Sequence, residues 1–365
     1  MEKQYEVRII DSPEKWGVVS TSWNEILRKS NSKTIFLTWE WLHTWSEFFC
    51  TKDRLLFIIA IYQNEKLVGL APWCIHFLWA PFSKIRRIEF LGSPEMGSDY
   101  LDVFAQKGKE EEVARCIYDY LFGEASRFWD TILLRDIPSD SLFLLYFMEQ
   151  LRNDGKYASL NEGAFCPIVI SPGSWNDFFQ NLSPNRREQL RRHHRLLMKH
   201  GYIEHETLIQ GPDSEHVLNR FISMYKSWWG KNKHHKFYNH LKSFVAKSAF
   251  HAWVQYDFLT IDGKDIASFL QFRYNGTLSM YLMAVDKTFN TKISIGNILI
   301  GLCLEKAMSD GISVYDFLKG TEKYKFHWSN AGRRSLVLQL YQRRIGVLES
   351  LFFETLKNAG KIILR

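Results

Sequence analysis

The residues best suited to chemistry lie in the last quarter of this 365-residue chain. Ser294-Ile295-Gly296-Asn297 opens an apolar segment with small and polar residues, which is typical of a loop that enters a helix. The start of a helix exposes backbone N–H groups at the positive end of the helix dipole, where they can bind phosphate oxygens. The sequence therefore predicts an anion site at Ser294, Ile295, Gly296 and Asn297.

Side chains that exchange protons lie close to this predicted anion site. Val314 to Leu318 has the pattern of a buried strand, and a short polar and aromatic segment follows it. An anion site beside such groups is what an acyl-CoA transferase needs. The candidate catalytic residues are Asp286, Asp316, Glu322, Tyr324 and Lys325.

The elements that must position these residues follow a pattern that occurs twice. In each half, a strand hairpin is followed by a helix and then by a buried strand. This repeat predicts two mixed α/β domains of similar topology, which we place at residues 1–165 and 166–365. The repeated segments are residues 54–72, 110–122 and 130–134 in the first half, and 254–272, 297–308 and 314–318 in the second.

A strongly basic helix is predicted at residues 183–200. Ser183-Pro184 is a helix-start signal and Gly201 is a helix-stop signal. Its apolar stripe is thin, so most of its surface faces either water or an anionic partner, and the sequence leaves both open. Its cations suit phosphates of CoA, a lipid carrier or RNA, and we assign Arg191 to cofactor binding.

Composition limits the classes of function. A formal net charge of +7 favours anionic partners such as a nucleotide cofactor, an acidic glycan, RNA or a membrane surface. The five cysteines are scattered, which argues against a disulfide framework and fits a reducing compartment. There is no signal-peptide pattern, and the longest apolar runs are too short to span a bilayer. We expect a cytoplasmic protein without a transmembrane segment.

Two further groups of residues resemble binding sites. The pairs His193-His194 and His234-His235 suggest metal ligands, but adjacent histidines on a helix point about 100° apart, so no metal is expected. Trp228 and Trp229 end a predicted helix before a basic loop, and we assign them with Trp328 to a substrate pocket. Trp41 and Trp45, on one face of a predicted helix, are instead expected in the core.

Asp316 to Trp328 resembles the signature of GNAT-superfamily acyltransferases of the cellulose-biosynthesis (CelD/BcsL) type, which is approximately Asp-Phe-x-x-Gly-x-x-x-Tyr-Lys-x-x-Trp. Asp286 followed by Ser294-Ile295-Gly296 is similar to the family's Asp…Ser-Pro-Gly segment, with Ile295 in place of proline. Trp39-Glu40-Trp41 and Asp99 to Asp102 also match, so the resemblance covers nearly the whole chain. Such proteins resemble Fem-type ligases, which have two GNAT-like domains and use aminoacyl-tRNA.

The resemblance implies two tandem GNAT-like domains, each a mixed, mainly antiparallel sheet flanked by helices. The N-terminal domain would lack a cofactor. The C-terminal domain would transfer an acyl group directly from acetyl-CoA or another acyl-CoA to an amine or hydroxyl. The acceptor would be a sugar, a polysaccharide precursor or a related small molecule.

Residue roles follow from the same resemblance. Amides at the start of the second domain's apolar helix would hold the pyrophosphate, and Tyr324 would protonate the departing thiolate. Lys325 would stabilise developing negative charge, while either Asp286 or Glu322 would take the acceptor's proton. Two alternatives stay open: a Fem-like transferase with tRNA on the basic helix, and an inactive GNAT pair that acts as an anion-binding scaffold.

Overall fold

A computed structural model describes residues 5–79, 84–211, 214–229, 235–289 and 292–342. The chain forms two compact units, which are residues 1–163 with 334–365, and residues 164–333. The first boundary lies close to the predicted one, but the strand residues after 333 group with the first unit and not with the second. They pair antiparallel with residues Thr131 to Pro138, and this ladder of backbone hydrogen bonds accounts for the difference.

The first unit contains eight complete strands and five α-helices among the described residues. Its strands are β1 Tyr5–Ile10, β2 Arg54–Leu56, β3 Ile58–Gln63, β4 Lys66–Ala71, β5 Trp73–Trp79, β6 Lys84–Phe90, β7 Phe104–Ala105 and β8 Thr131–Pro138. Its helices are α1 Pro13–Val18, α2 Ser20–Lys29, α3 Trp39–Phe49, α4 Glu110–Phe122 and α5 Leu142–Asn153, with 3-10 turns at Ile35–Leu37 and Glu124–Phe128.

The remaining elements belong to the second unit, apart from residues 158–163 of its first strand and residues 334–341 of its last strand, which belong to the first unit. Its strands are β9 Ala158–Ile170, β10 Ile203–Ile209, β11 Val254–Ile261, β12 Lys264–Tyr274, β13 Thr277–Val285, β14 Val314–Asp316 and β15 Ala331–Tyr341. Its helices are α6 Trp175–Asn181, α7 Pro184–Leu197, α8 Glu215–Trp229, α9 His235–Lys247, α10 Ile295–Ser309 and α11 Lys323–Trp328, with a 3-10 turn at Met198–His200.

The first unit has two sheets. One has the antiparallel order β1-β3-β4-β7, and α2 and α4 pack on it. The other contains β15-β8-β6-β5-β2, in which only β6 and β8 are parallel. The first strand of the hairpin predicted at residues 54–72 is interrupted at Phe57. Its first part, β2, pairs with β5, whereas its second part, β3, pairs with β1 and β4. Trp41 and Trp45 of α3 are fully buried, as predicted for core residues.

Both predicted hairpins are confirmed, and their turns explain why the sequence revealed them. Asn64 and Glu65 have φ of 48° and 63°, and Asp262 and Gly263 have φ of 49° and 78°. Two consecutive left-handed residues form the turn whose twist matches that of the flanking strands, and Asn, Asp and Gly tolerate this conformation best.

The second unit has the strand order β10-β11-β12-β13-β14-β9. All described neighbours are antiparallel except β13 and β14. Helices α8 and α10 pack on β12 and β13, and α6 and α7 pack on α10. Because α10 has neighbours on several sides, it is apolar around most of its circumference, with Leu299, Cys303 and Leu304 fully buried. The predicted mixed, mainly antiparallel fold is confirmed.

Two sequence predictions concern other parts of the chain. The sequence also predicts a helix at Val347 to Leu356, which lies outside the described residues. Among the helices that the structure does describe, none combines the length and apolarity required to cross a bilayer.

Candidate active site

The parallel strand pair of the second unit separates toward its C-terminal end. β13 and β14 pair only from Thr277 with Val314 to Ser279 with Asp316. β14 ends there, whereas β13 continues to Val285, just before the loop that leads into α10. Within the described residues, no strand pairs with this edge of β13 beyond Ser279. The opening exposes backbone hydrogen-bonding groups next to the start of α10.

A β-bulge lies at the same place on β13. Leu270 of β12 faces Leu282, but the next residue, Gln271, faces Met280. Tyr281 is therefore the extra residue of the bulge, and its ring stacks on Phe272 with 4.6 Å between the centroids. Bulges release backbone groups from regular pairing and are frequent beside active sites. This one lies on β13 beyond Ser279, beside the open edge of the strand.

The start of α10 is only partly available to an anion. The Ser294 amide donates to Nδ1 of His193 at 3.3 Å, and the Ile295 amide donates to the carbonyl of Ile293 at 3.1 Å. The prediction that the Ser294 amide binds phosphate therefore conflicts with its bond to His193. Gly296 and Asn297, in the first turn, have amides without an acceptor inside the helix. These two amides are the better candidates for an anion.

His193 acts as an acceptor because its Nδ1 receives the Ser294 amide. The ring is 6% exposed, and burial, followed by the charges of Arg192 and Arg186, lowers the pKa of His193. A neutral imidazole keeps this nitrogen free to accept, so His193 ties α7 to the loop before α10.

Arg186 is the most informative side chain of the site, and the sequence did not single it out. It is 8% exposed, with Nη2 donating to Oδ1 of Asn297 at 2.6 Å and Nη1 donating to Oε1 of Gln189 at 2.9 Å. Its guanidinium lies 4.7 Å from the ring centroid of Trp328. In the described part of the chain its Nε has no hydrogen-bond acceptor and no carboxylate pairs with it.

A buried cation without a carboxylate is unfavourable in the free protein. Burial alone lowers the pKa of Arg186, which shows that its surroundings disfavour the charge. A buried charged side chain that lacks an ionic partner and lies beside a surface cavity commonly binds a ligand of opposite charge. A sequence signal was present: Arg186 lies four residues after Leu182 and four before Leu190, so it occupies the apolar stripe of the basic helix.

Asn297 holds the arginine and the tryptophan together. Its Oδ1 also accepts from Nε1 of Trp328 at 2.9 Å, and its Nδ2 donates to Oγ of Ser294 at 2.6 Å. Its predicted role in cofactor binding is therefore limited to its backbone amide, because the side chain is engaged. Trp328, predicted in a substrate pocket, is 1% exposed and packs against this cluster.

A cavity of about 210 Å³, which we call the α10 groove, lies between α6, α7 and α10. Asn297 and Trp328 line it, so the groove is adjacent to the cluster that holds Arg186. Arg191, predicted to bind the cofactor, also lines the groove and is exposed. The structure thus brings the predicted residues Arg191, Asn297 and Trp328 to one cavity.

Tyr324 lies in α11, directly after the loop that follows β14. It is half-buried, and its ring is edge-on to Phe317 at 6.4 Å. Burial, followed by the negative charge of Glu322, raises the pKa of Tyr324. The phenol is therefore protonated at neutral pH, which is the state that a proton donor requires.

The surroundings of Lys325 differ from those expected for a residue that stabilises developing negative charge. It is 4% exposed, and its Nζ donates to the carbonyls of Lys319 at 2.8 Å and Leu318 at 3.4 Å. It also pairs with Oε2 of Glu322 at 3.1 Å. These three acceptors engage all three ammonium hydrogens. Lys325 therefore holds the loop after β14, and a role in stabilising transition-state charge conflicts with this geometry.

The candidate carboxylates are mostly engaged as well. Asp316 is 1% exposed and its Oδ1 accepts from the Leu318 amide at 2.7 Å, which stabilises a turn where Leu318 has φ of 57°. Hydrogen bonds from Thr288 are the largest cause that lowers the pKa of Asp286. A base that works at neutral pH needs a raised pKa, so this is opposite to the predicted role. Glu322 has a side chain that is 56% exposed.

The other two predicted pocket residues lie on α8. Nζ of Lys287 is 4.9 Å from the ring centroid of Trp228. Trp228 does not line the α10 groove, and the side chain of Trp229 lies outside the described residues.

A buried polar cluster lies in the core of this unit. His205, Asp257 and Cys303 offer ligand atoms within 4.8 Å of one another, so the structure brings together a group that the sequence had not suggested. Asp257 is fully buried, but it already accepts hydrogen bonds from four side chains. The donors are His205 at 2.9 Å, and Thr207, Gln255 and Gln271 at 2.7 Å each.

The Asp257 carboxylate already has four hydrogen-bond donors and does not need a metal ion to compensate its charge. Burial raises the pKa of the Cys303 thiol, which disfavours the thiolate that a metal requires. Burial alone would also raise the pKa of Asp257, but hydrogen bonds from His205, Gln255 and Thr207 together lower it below its usual range. We therefore interpret the cluster as a charged hydrogen-bond network that organises β10, β11 and β12.

Asp257→Asn is expected to destabilise the protein by about 3–5 kcal/mol, because an amide NH₂ would face side chains that now donate to a carboxylate. The pKa of Asp257 is lower in the folded state than in the unfolded state. Its contribution to the free energy of unfolding is therefore complete above the unfolded pKa of about 3.9, and it is lost as pH falls through the lower folded value. Urea unfolding of both proteins at pH 7 and at lower pH measures this difference. Equal stability at pH 7 would contradict the interpretation.

Comparisons with known proteins concern the family of one segment and the fold of the chain. Residues 184–326, which include α7, α10 and most of α11, match the family described as an acetyltransferase (GNAT) domain. The second unit therefore contains a GNAT-type domain. A search of curated proteins gives no significant match.

Two solved structures have a similar fold over almost the whole chain. FemX has a TM-score of 0.59 and 10% identity, covering 91% of this chain and 96% of its own. L-PGS from Bacillus licheniformis has a TM-score of 0.54 and 14% identity, covering 94% of this chain and 96% of its own. At such identities the similarity concerns the fold alone.

Proposed function

We propose that the GNAT-type domain transfers an acyl group from acetyl-CoA or another acyl-CoA directly to an amine or hydroxyl. The observation that carries the proposal is Arg186, a buried guanidinium without a carboxylate, beside the first turn of α10. A ligand phosphate would supply the missing charge. The open edge of β13 and Tyr324 supply the neighbouring chemistry.

The donor phosphate would bind where three favourable features coincide. The amides of Gly296 and Asn297 lie in the first turn of a 15-residue helix, where the helix dipole favours an anion. Arg186 adds a positive charge held in position by Asn297 and Gln189. Hydrogen bonds between charged partners are stronger than neutral ones, and more so away from water.

The acyl group would react at the open edge of β13. The acceptor's nucleophilic atom would form a bond to the thioester carbonyl carbon, and a backbone N–H on the edge of β13 beyond Ser279 would stabilise the negative oxygen. The C–S bond would then break, and the sulfur would take a proton from the Tyr324 hydroxyl. The raised pKa of Tyr324 supports this assignment, because the proton stays on the phenol until the thiolate forms.

Of the two bases that the sequence left open, we propose Glu322, whose ion pair with Lys325 would have to open before it takes the acceptor's proton. The pKa of Asp286 is lowered by its bonds to Thr288, so it holds little affinity for an acceptor's proton. The acceptor class stays as the resemblance implied it, a sugar, a polysaccharide precursor or a related metabolite, and the protein would act as part of polysaccharide biosynthesis in the cytoplasm.

A second donor class has one observation in its favour. Arg192, Arg195 and Lys199 form an exposed cationic face on α7 and the turn after it. Such a face suits the phosphate backbone of RNA, as in the aminoacyl-tRNA-dependent Fem-type ligases that the sequence resembles.

Thermal unfolding with candidate donors tests the proposal. Acetyl-CoA, longer acyl-CoAs, free CoA and an aminoacyl-tRNA would each be added to the whole protein. A ligand that binds only the folded state stabilises it by about 2.7 kcal/mol at 100 times its Kd. We expect acyl-CoA to raise Tm. A shift with aminoacyl-tRNA alone would favour the second donor class, and no shift with any of them at millimolar concentration would refute both.

A further inference from the structure

The shape and charge of the α10 groove point to a site for an adenosine nucleotide, which forms one end of the donor. We infer that the groove binds an adenine ring and that its phosphate lies toward Arg186. This inference rests on the proposed function and adds where the donor is recognised.

Aromatic side chains form much of the groove wall. Trp175 and Phe179 of α6 lie 5.5 Å apart with a tilt of 40°, and Trp328 lines the groove next to α10. Gly301 lies close to these rings, because a Cβ there would be 3.3 Å from Trp328, a tight contact, and 3.9 Å from Trp175, an ordinary one. Trp175 and Phe179 are half-buried and can offer a face to a flat conjugated ring, since bases stack on such side chains, whereas Trp328 is only 1% exposed.

The rim of the groove carries charges that suit a nucleotide. Arg191 and His194 of α7 are exposed, and the Arg191 guanidinium lies 5.3 Å from the centroid of Phe179. Glu305 lines the groove from α10. None of the three forms an ion pair with another described residue. A guanidinium or an imidazole can bind phosphate or stack on a base, and a carboxylate can accept hydrogen bonds from the adenine amino group.

The groove also has a suitable length and direction. Its lining along α10 extends from Asn297 to Glu305, which corresponds to about 12 Å at 1.5 Å per residue. Asn297 is the residue that binds Arg186, so one end of the groove adjoins the proposed phosphate site. A nucleoside with its phosphate at that end would place the base among the aromatic rings.

A purely aliphatic occupant fits these observations less well. An acyl chain would gain from the apolar walls, but it would make no use of Glu305, Arg191 or His194. Adenosine phosphate occurs at the end of CoA and at the 3′ end of every tRNA, so the same chemistry serves either donor class. The probes below separate these two sources.

Calorimetric titration of the full chain tests the inference. The probes are adenosine 3′,5′-bisphosphate, which is the nucleotide end of CoA, the trinucleotide CCA, which is the end of tRNA, and octyl phosphate, which has an aliphatic chain. We expect one of the two nucleotides to bind and octyl phosphate not to bind. Preferential binding of octyl phosphate would overturn the inference.

Gly301→Leu fills the groove without breaking the helix, since leucine is a better helix former than glycine. We expect it to weaken nucleotide binding by at least about tenfold, the lower part of the range for losing one stacked base. Lys306→Leu introduces the same side chain on the same helix, where Lys306 pairs with Asp310 outside the groove, and should leave binding unchanged.

The outcomes separate this inference from the proposed function. If acyl-CoA stabilises the protein but neither nucleotide binds, or Gly301→Leu binds as wild type does, the groove assignment fails and the acyltransferase proposal stands. If neither acyl-CoA, aminoacyl-tRNA nor any nucleotide binds, both fail. Circular dichroism of the variants confirms that a loss of binding is not a loss of folding.

Discussion

Tyr324→Phe is expected to lower kcat about 10²–10⁴-fold while the KM for acyl-CoA changes little, because the variant loses the proton donor and keeps the ring. The raised pKa of Tyr324 also predicts that its deprotonation does not reduce the wild-type rate between pH 7 and 9. Steady-state kinetics over this pH range measures both effects, once an acceptor is known or with hydrolysis of acyl-CoA as the readout.

Tyr315→Phe is the matched control for this variant. Tyr315 lies on β14, and its buried hydroxyl has no hydrogen-bond partner among the described residues. Removing that oxygen should leave kcat unchanged and should not lower stability. If Tyr324→Phe kept full activity, or if Tyr315→Phe lost as much, Tyr324 would not be the proton donor.

Arg186→Met is expected to weaken acyl-CoA binding about 10–150-fold, which corresponds to one hydrogen bond between charged groups at about 1.5–3 kcal/mol. The free protein should keep its Tm, because methionine fills similar space and removes a buried charge that no carboxylate compensates. Asn297 Oδ1 would retain its bond from Trp328. Ligand titration and thermal unfolding without ligand measure these two quantities.

Arg192→Met is the control for the charge itself. Arg192 is on the same helix and is exposed, so it contributes to the net charge of α7 but not to the buried cluster. It should retain near wild-type affinity. A large fall in the Tm of ligand-free Arg186→Met, with affinity unchanged, would make Arg186 a structural residue and remove the main support for the phosphate site.

The candidate site was only partly predictable from the sequence. The start of α10 could be located because Ser294, Gly296 and Asn297 are helix-start residues before an apolar run. The succession of β14, its loop and Tyr324 could also be predicted from neighbouring residues in the sequence. The partners of these residues were not predictable, since His193 and Arg186 lie more than 100 positions away in the chain from Ser294 and Asn297.

Local patterns also failed to separate catalytic from structural polar residues. Lys325 and Tyr324 are adjacent in sequence, yet the lysine is buried on backbone carbonyls and only the tyrosine keeps the environment of a proton donor. The sequence predicted the role of general base equally for Asp286 and Glu322, and only the structure shows the hydrogen bond from Thr288 to Asp286. These distinctions depend on distances and burial, which determine protonation and which a one-dimensional pattern does not contain.

The sequence by itself determined the elements: the hairpins through their Asn-Glu and Asp-Gly turns, α7 through its Ser-Pro start, and the buried α10 through its apolar composition. These follow from backbone preferences and hydrophobic periodicity, which act over a few residues. The tertiary structure alone decided that β13 and β14 separate after three pairs, that Tyr281 bulges there, and that Arg186 is buried without a carboxylate. These features arise where distant segments pack together, and that packing sets the solvation and the charge that the site presents to a ligand.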